Sequence, residues 1–521
     1  MSRQKSENCV VPQGRRKSAV TRSVKTPGGG KAVPVNEQPR QLGLHFEAAE
    51  DSARAETDGA TERPRGRSAA YAELQSKGSE EGVLAVTLEE VAGRLRRAFA
   101  KVASNRGAPG PDGQSIRMVR EHLTELLPKL KEALLEGSYE PGNIRRVWIP
   151  KASGGQRGLG IPNVIDRMVQ EAIRQVLEPE YEPTFHPSSH GFRPGRGCQT
   201  AIQQAKEHLE EGYEWVVDID LENFFNRVNH QRLMSRLALR VHDKRLLVLI
   251  GKMLKAQVVM PDGVVVSNEE GVPQGGPLSP LLSNIVLDEL DWELEQRGHR
   301  FVRYADDANI YVQSERAGQR VMASITSFIE RRLRLKVNVE KSAVAEPGER
   351  HFLGFSLRSK PEDGDVEIGL SKRSKERIDA KVRELTPRNW GGTLKACIAE
   401  INAYLTGWMG FFGICTAQVE RTLHGLDAHL RRRLRALQLK QWKRRSTIAR
   451  KLIQHGIRPK SAWRSVYDGC KSIWSMSHMP TVDRALPNSH WDERGLRSLK
   501  ERYWAHPARR VAPVQLTLTL G

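Results

Sequence analysis

Long uninterrupted apolar runs are missing from this sequence, and so is any regular pattern of cysteines. No stretch approaches the ~18 apolar residues that a transmembrane helix needs, which argues against a membrane partner. The five cysteines are scattered without a CxxC pair, which argues against a zinc ribbon. The N-terminus also lacks the apolar core of a secretory signal. These absences predict a cytoplasmic protein, with the bacterial nucleoid or an organelle left open as its location.

The sequence has fewer acidic side chains than basic ones. The chain of 521 residues carries 62 acidic side chains against 83 lysines and arginines, a formal net charge of +21. Such an excess favours a polyanionic partner, most often nucleic acid. The length suggests two to four domains. Residues 1–85 are polar, with a run of three glycines and scattered prolines, so we expect a disordered or loosely ordered extension there.

Two adjacent carboxylates stand at the centre of residues 301–312 (FVRYADDANIYV). Apolar runs flank Asp306 and Asp307, a pattern typical of strand, tight turn and strand. Side by side, two acids repel each other unless a cation lies between them, and hard oxygen ligands suit Mg²⁺. A solvated hairpin turn explains most such pairs, so the rest of the chain has to decide between the two interpretations.

A further acid ends an apolar strand predicted at residues 215–220 (WVVDID). Side chains alternate along a strand, so Asp218 and Asp220 share one face. The strand end is either simply exposed or a metal site. Three carboxylates that converged there could hold two Mg²⁺ ions ~3.5–4 Å apart, the arrangement for in-line phosphoryl transfer.

A glycine-rich hairpin is predicted at residues 145–161, with Lys151 and Arg157 near its turn. Two cations on such a hairpin could hold a triphosphate. An ordinary edge hairpin carries similar charges against aggregation, and the hairpin alone does not separate these two interpretations.

The order of elements predicts an α+β fold. Strand, helix, loop and helix, strand–turn–strand, helix and strand indicate an antiparallel sheet with helices on one face. The last strand, residues 337–344, carries Lys341. From residue 371 the pattern becomes helical, with an apolar stripe at helical spacing. The stripe consists of Leu394, Ile398, Ile401, Leu405 and Trp408.

Residues 429–452 form a basic helical region that contains no acid. A solvated helix face usually carries charges of both signs, so we favour contact with RNA phosphates over an ordinary solvated surface. Trp442 lies among the cations. The candidate RNA-binding residues are Arg431, Arg432, Arg433, Lys443, Arg444 and Arg445.

Taken in order, the segments resemble the motifs of group II intron-encoded reverse transcriptase/maturases over about residues 88–470. The segments that carry the resemblance are RGAPGPDG (106–113), WIPKASGGQRGLGIP (148–162), HPSSHGFRPGRG (186–197), VVDIDLENFF (216–225), GVPQGGPLSPLLSNIVLDELD (271–291), YADD (304–307), VNVEKS (337–342), HFLGF (351–355) and INAYLTGWMGFF (401–412). The family order of so many motifs is specific, whereas YADD alone would be a weak signal.

The resemblance implies a right-hand polymerase in four parts. Residues 1–85 would be the extension and 86–360 the fingers with an antiparallel-sheet palm. Residues 371–470 would be the α-helical thumb or maturase domain, and 471–521 a basic C-terminal tail that is a candidate for DNA binding. Many members of the family end in an HNH nuclease domain that carries cysteines and histidines. Of the five cysteines here, only Cys470 lies beyond residue 450, so we expect that nuclease domain to be lacking.

The resemblance also implies roles for the candidate residues. In this family the first metal-binding acid is followed five residues later by an aromatic steric gate, which selects Asp220 with Phe225 over Asp218. A bulky Phe225 implies the use of dNTPs. The implied roles are metal binding and catalysis for Asp220, Asp306 and Asp307, protonation of the leaving group for Lys341, and nucleotide binding for Lys151, Arg157, Phe225, Gln274 and Tyr304.

The expected activity is RNA-directed DNA polymerase with two Mg²⁺ ions. The expected partners are the intron RNA, whose splicing and mobility the protein would assist, an RNA template with a DNA primer or target, and a DNA target. A homodimer is left open. Two alternatives remain: a splicing cofactor without polymerase activity, and a reverse transcriptase recruited to phage defence or CRISPR spacer acquisition.

Overall fold

The computed structural model describes residues 86–150, 155–359, 365–470 and 472–507. Lys151, the predicted extension at 1–85 and the end of the predicted tail lie outside these ranges. No helix in the described part is long and apolar enough to cross a membrane. The first helix, α1 (Leu88–Ser104), begins after Thr87, whose hydroxyl caps it by accepting a hydrogen bond from the Glu90 amide at 3.3 Å.

The fingers combine helices with a small sheet. Their helices and strands are α2 (Ile116–Glu121), α3 (Leu123–Glu136), β1 (Ile144–Pro150), β2 (Gln156–Ile161), α4 (Val164–Tyr181) and α5 (Cys198–Glu210). Residues 116–136 form two helices rather than one, because the helical path is interrupted at His122. The predicted hairpin is confirmed, with Arg145 opposite Ile161 and Pro150 opposite Gln156.

The palm follows and supplies the main sheet. Its elements are β3 (Trp215–Asp220), α6 (His230–Ala238), α7 (Lys244–Leu254), β4 (Val258–Val259), β5 (Val265–Val266), α8 (Ser279–Gln296), β6 (Arg300–Tyr304), β7 (Asp307–Val312), α9 (Glu315–Arg331) and β8 (Ala343–Ala345). The palm sheet has the order β6-β7-β3-β8 and is antiparallel throughout. Strands β4 and β5 extend the fingers sheet, whose order is β2-β1-β4-β5.

Helices cover both faces of the palm sheet, so the expectation of helices on one face is wrong. On one face, Val217 and Ile310 join a core that includes α8 and α9. On the other, Val216 and Tyr311 belong to a second core with the apolar face of α5. The register pairs Val216 with Tyr311 and Val217 with Ile310, so the strands alternate between the two cores. The acids of the strand therefore share the α5 face with Val216.

The segment that carries Lys341 differs from its prediction. Only Ala343–Ala345 forms a strand, and Lys341 lies in a turn whose amide donates to the Asn338 carbonyl oxygen at 3.2 Å. Val337 makes one isolated bridge to Leu221. A turn lets the lysine side chain reach across the sheet end, where a regular strand would have fixed it on one face.

A hairpin and a helical domain complete the described chain. The hairpin consists of β9 (Phe355–Ser359) and β10 (Val366–Leu370). The helices are α10 (Lys372–Leu385), α11 (Leu394–Phe412), α12 (Val419–Gln441), α13 (Arg445–Gln454), α14 (Pro459–Tyr467), α15 (Ile473–Met476), α16 (Pro480–Ala485), α17 (Asn488–Asp492) and α18 (Leu499–Trp504). Every residue of the predicted apolar stripe on α11 is buried. The described part of the predicted tail also folds: Trp491 is fully buried in the same core.

A buried ion pair holds the turn between β6 and β7. Arg303, 1% exposed, donates to both carboxylate oxygens of Asp291 on α8, at 2.6 and 2.5 Å. Its remaining donors reach the Asn284 side chain at 3.1 Å, the Ser189 hydroxyl at 2.7 Å and the Ala305 carbonyl oxygen at 2.8 Å. A guanidinium offers five donors in a rigid fork, so this one side chain joins a strand, a helix and a loop to the turn.

Asp291→Asn should destabilise the protein strongly, because it leaves the Arg303 charge buried without its counter-ion. Breaking a buried pair in this way costs about 3–5 kcal/mol of unfolding free energy, measurable by chemical denaturation. The matched control is Glu121→Gln, since Glu121 pairs with Arg117 four residues away on an exposed helix surface, at 3.6 Å. That pair should contribute only about 0.3–0.5 kcal/mol. Equal destabilisation of the two variants would contradict this account of Arg303.

Candidate active site

Two of the three predicted metal-binding acids lie directly opposite each other. Asp220 ends β3 and pairs in register with Asp307, which begins β7. Residues opposite each other on antiparallel strands have Cβ atoms ~4.5–5.5 Å apart and share a face. Asp307 is buried and Asp220 half-buried. Asp306 precedes Asp307 in the tight turn, so the three carboxylates belong to one end of the palm sheet.

The turn has an unusual backbone and a close neighbour. Ala305 adopts a left-handed conformation, with φ 56°, which costs an alanine energy that surrounding contacts must offset. Gly191, from the HGFRPGRG loop, lies against it: a Cβ at Gly191 would lie 2.2 Å from the Ala305 nitrogen. The Asn284 side chain donates to the Gly191 carbonyl oxygen at 2.9 Å. Glycine at 191 is therefore required by the close approach.

Asp218 has a different environment from Asp220. The Arg350 guanidinium donates twice to one Asp218 oxygen, at 3.0 and 2.6 Å, and also to the Lys341 carbonyl oxygen at 2.6 Å. Asp218 is buried, so the arginine neutralises a charge that water does not reach. Asp218 thus joins the strand to the segment that follows β8. This geometry is compatible with the choice of Asp220 as the metal ligand, which stays a prediction.

Lys341 reaches the same sheet end. Its ammonium nitrogen lies 3.4 Å from Asp220 Oδ2, and its side chain is 41% exposed. Among the described residues, no three or more His, Cys, Asp or Glu side chains are gathered closely enough to hold a metal ion. The donor set nevertheless fits Mg²⁺ in kind, because carboxylate oxygens are its usual ligands. The contact with Lys341 also shows that Asp220 accepts a cation partner.

The nucleotide-binding candidates Arg157 and Gln274 contact each other. Arg157 Nε donates to Gln274 Oε1 at 2.9 Å, and the Gly160 amide donates to the Gln274 carbonyl oxygen at 2.7 Å. Gly275 lies so close to Gly160 that an added Cβ would be 2.4 Å from its carbonyl oxygen. The glycine-rich strand of the fingers therefore packs on the PQGG loop of the palm. Lys151 lies outside the described residues.

Phe225 is held by the same loop. It belongs to a 3₁₀ turn (Phe224–Asn226) and is 6% exposed, and its carbonyl oxygen accepts the Val272 amide at 2.6 Å. Phe225, Arg146 and Gly160 also line a cavity of about 130 Å³ between fingers and palm. Tyr304 is half-buried at the end of β6, and burial raises the pKa of its hydroxyl. The role of Phe225 as a steric gate and that of Tyr304 in nucleotide binding therefore stay predictions.

Two family models match this chain. The model described as "Reverse transcriptase (RNA-dependent DNA polymerase)" matches residues 149–357, and "Group II intron, maturase-specific domain" matches residues 375–454. Protein YkfC of Escherichia coli is 32% identical over 348 residues, which cover 59% of this chain and 89% of that protein. Group II intron-encoded protein LtrA of Lactococcus lactis is 28% identical over 365 residues, 56% of this chain and 60% of that protein.

The chain belongs to the group II intron-encoded reverse transcriptase/maturases. It is an RNA-directed DNA polymerase by family, and the family uses divalent metal ions and dNTPs. Its maturase-domain relatives imply that it binds intron RNA.

The retron Mx65 reverse transcriptase of Myxococcus xanthus is 27% identical over 45% of this chain and 54% of that protein. A solved "Partial Cas6-RT-Cas1--Cas2 complex" aligns with TM-score 0.31 and 25% identity, over 47% of this chain and 42% of that one.

The six candidate RNA-binding residues of this reverse transcriptase/maturase do not share one environment. Arg432, Lys443 and Arg444 are exposed. Arg433 instead donates to the Thr386 carbonyl oxygen at 2.6 Å, which ties α12 to the end of α10. Arg431, Arg432 and Arg433 lie in the second half of α12, Lys443 and Arg444 in the link, and Arg445 at the start of α13.

Arg431, Arg433 and Arg445 are half-buried, and Arg445 donates to the Val466 carbonyl oxygen at 3.4 Å. Trp442 stacks on His455, with ring centroids 6.0 Å apart. The exposed three are therefore the more accessible of the six candidates, while Arg433 contributes to packing within the domain.

Sequence reasoning missed the side chains that support the carboxylates of the reverse transcriptase. Arg303 bonds the Ala305 carbonyl oxygen in the turn, Asp291 pairs with Arg303, and Arg350 pairs with Asp218. One signal was available for Arg303: a charged residue stands inside an apolar strand, on the face opposite Asp307. A cation there has to be exposed or paired, and in a strand with apolar neighbours pairing is the expected outcome.

Phe225→Val should raise ribonucleotide incorporation by this reverse transcriptase while leaving dNTP use largely intact. The smaller side chain would leave space for a 2′-hydroxyl beside the sugar. Primer extension with rNTPs and dNTPs measures the change in the ratio. Phe224→Val is the control, because its ring packs edge-on against Phe225 at 5.2 Å and is buried in the palm core. The gate assignment would be wrong if both variants changed the ratio alike, or neither did.

Proposed function

We propose that this chain copies an RNA template into DNA from a primer 3′-hydroxyl, and that it binds its own intron RNA to assist splicing and mobility. The observation that carries the polymerase part is the register of the palm sheet, which pairs Asp220 with Asp307 beside Asp306. A template with a DNA primer or target, and a DNA target for mobility, are the partners that this activity requires. A second copy of the chain remains a candidate partner.

Asp220, Asp306 and Asp307 would hold two Mg²⁺ ions. When bound, such ions lower the pKa of the attacking hydroxyl and offset the charge of the leaving pyrophosphate. The protein contributes the placement of the three oxygens at one sheet end, on strands whose register is fixed by burial of both sheet faces. Arg303 contributes by holding the Ala305 carbonyl oxygen, which sets the turn that presents Asp306 and Asp307.

Lys341 would donate a proton to the leaving group. Its exposed ammonium contacts the half-buried Asp220 carboxylate only once, at 3.4 Å, and keeps its access to water. This contact can therefore be exchanged for other partners at small cost. The turn at Lys341 allows such a movement, since the backbone there is anchored to Asn338 and Arg350 while the side chain extends outward.

Arg157 and Gln274 would meet the incoming nucleotide as a pair, with Lys151 on the same hairpin. The hydrogen bond between them presets both side chains at the junction of fingers and palm. Phe225 would lie under the sugar and Tyr304 beside the base. Preset groups lose less entropy on binding than mobile ones, which favours a nucleotide site built across this junction.

The alternatives are not favoured. A splicing cofactor without polymerase activity would have no need for the Asp220–Asp307 register, the glycine fit at Gly191 and the Arg303 network, all of which converge on the turn. The maturase-specific match at residues 375–454 favours an intron role over phage defence or spacer acquisition.

Asp306→Asn or Asp220→Asn should abolish cDNA synthesis on a primed RNA, because each removes a ligand charge where the phosphoryl group is transferred. The expected reduction in rate is at least ~10²–10³. Asp262→Asn is the control, since Asp262 lies exposed in the hairpin between β4 and β5. Intron RNA affinity should be the same in all three variants. Extension by Asp306→Asn at the wild-type rate would rule out this site.

Replacement of Arg432, Lys443 and Arg444 by Gln should weaken intron RNA binding and protein-assisted splicing together. Removing one cation that binds a phosphate lowers the slope of log K against log salt by slightly less than one unit. The matched control replaces three exposed arginines of the palm helix α9, namely Arg316, Arg320 and Arg331, by Gln. Affinity at two salt concentrations and primer extension on a short RNA are measured in parallel.

The surface variant should show lower affinity and a shallower salt slope, while primer extension falls much less. Arg433→Gln should behave differently again, with a lower unfolding temperature, because Arg433 bonds Thr386 inside the domain. An unchanged salt slope in the surface variant would leave α12 and α13 as a solvated surface. An equal reduction in RNA affinity and primer extension would place these cations on the path of the primer–template duplex.

A further inference from the structure

A cavity of about 380 Å³ opens between the end of α10, α12 and α15. Its floor is apolar, formed by Ala436 and Leu437 of α12 with Ile473 and Trp474 of α15. Pockets that take small ligands begin at about 300 Å³ and are mostly apolar and aromatic. The cavity is thus large enough for one flat aromatic group, and it lies far along the chain from every residue of the polymerase site.

Three cations line this cavity: Arg388, Arg433 and Lys440. Arg388 and Lys440 are exposed and form no ion pair with a carboxylate in the described part of the chain. Burial, together with the nearby charges of Arg383 and Arg388, lowers the pKa of Arg433. The surroundings of the cavity are therefore short of negative charge, which a ligand with a phosphate would supply.

Trp474 is held in place rather than free to collapse into the cavity. The Arg433 guanidinium carbon lies 5.9 Å from the centroid of its ring, and the His478 ring packs edge-on at 4.6 Å. His478 Nδ1 also lies 2.7 Å from the Trp474 carbonyl oxygen. Arg433 is in turn fixed by Thr386. A fixed aromatic wall costs little entropy when a second ring stacks on it.

The cavity adjoins the surface assigned to RNA above. Arg433, Ala436, Leu437 and Lys440 fall at spacings of three and four residues, so they line one face of α12. Arg432 is the neighbouring residue of Arg433 and belongs to the exposed set. An RNA strand that followed those exposed cations would pass the mouth of the cavity.

We propose that this cavity accepts one unstacked base of bound RNA, stacked against Trp474, with the adjoining phosphate on Arg388 and Lys440. Apolar walls and an aromatic face suit a base, and two uncompensated cations suit a phosphate. RNA is favoured over duplex DNA because its loops and bulges present unstacked bases to aromatic side chains. This inference rests on the proposed RNA-binding function and adds a base-recognition site to it.

The test compares two single-stranded RNA probes: a 12-nucleotide oligouridine and the same backbone without bases. Both carry the same phosphates, so their ratio of affinities isolates the contribution of the bases. The wild-type protein should bind the abasic probe more weakly by roughly 5- to 150-fold, the range expected for one stacked base. Stacking elsewhere on the protein is cancelled by comparing this ratio between variants.

Trp474→Ala should reduce the ratio towards one, whereas Trp474→Phe should retain most of it. Ala436→Phe is a second variant that fills the cavity and leaves Trp474 in place, and it should reduce the ratio as well. Trp504→Ala is the matched control, because Trp504 is an exposed tryptophan of the same domain at 54% exposure. Thermal unfolding verifies that each variant is folded.

An independent measurement uses the unaltered protein. Ultraviolet cross-linking of an RNA that contains 4-thiouridine, followed by peptide mapping, should identify the peptide that contains Trp474. A ratio that stays at the wild-type value in both Trp474→Ala and Ala436→Phe would overturn the proposal, and so would a protein that binds both probes equally. If replacement of Arg432, Lys443 and Arg444 left the salt slope intact while the ratio still depended on Trp474, the proposed phosphate surface would fail and the base site would stand.

Discussion

The buried contact between Arg303 and Asp291 is the constraint on which the rest of the palm depends. The Arg303 guanidinium contacts α8, the loop that carries Gly191 and the carbonyl oxygen of Ala305, so one charged group fixes the turn that carries Asp306 and Asp307. A buried ion pair is weak support for stability, since apolar groups of equal volume often do as well. An apolar pair could fill the space, but it could not hold the carbonyl oxygen, and we infer that position rather than stability is what the pair secures.

The acids of the palm have cation partners of different kinds. The kind of partner distinguishes acids that support the fold from an acid that is available to bind a metal ion. Asp291 pairs with the buried Arg303, and the buried Asp218 pairs with the half-buried Arg350, so removing either arginine leaves a buried carboxylate without its partner. Asp220 instead faces the exposed Lys341 through one long contact at 3.4 Å. Of these three acids, Asp220 is therefore the one that can exchange its lysine partner for another cation without disrupting the fold. The same reasoning supports different proposed roles for Asp218 and Asp220, which lie two residues apart on one strand face.

Much of this molecule could be predicted from its sequence, and the errors have physical causes. The two predicted apolar strands place Asp220 and Asp307 at strand ends that could converge, and the structure adds their register. The Thr87 cap and the α11 stripe follow local rules of capping and periodicity. The sequence could not predict that helices cover both faces of the palm sheet. The helix on the second face, α5, has an apolar stripe that shows it packs against something but does not indicate which element it packs against. Lys341 was placed in a strand because β-branched neighbours favour one, whereas the bond from its amide to Asn338 makes a turn. Arg303 and Arg350 bind partners 12 and 132 residues away, which no local pattern encodes.

The basic helical region at residues 429–452 shows that composition alone does not predict the role of each cation. Counting cations predicts an RNA surface, yet a helix rotates each residue by about 100° from the last, so consecutive arginines cannot share one role. Arg432 is exposed, Arg433 fixes Thr386 and lies over Trp474, and Arg435 is buried against Asp483 and the Leu486 carbonyl oxygen. On the proposed function, one group of cations here would build a pocket and another would approach phosphates. Because Arg432 and Arg433 are consecutive residues of α12, RNA drawn in by charge at Arg432 would meet an aromatic site close by.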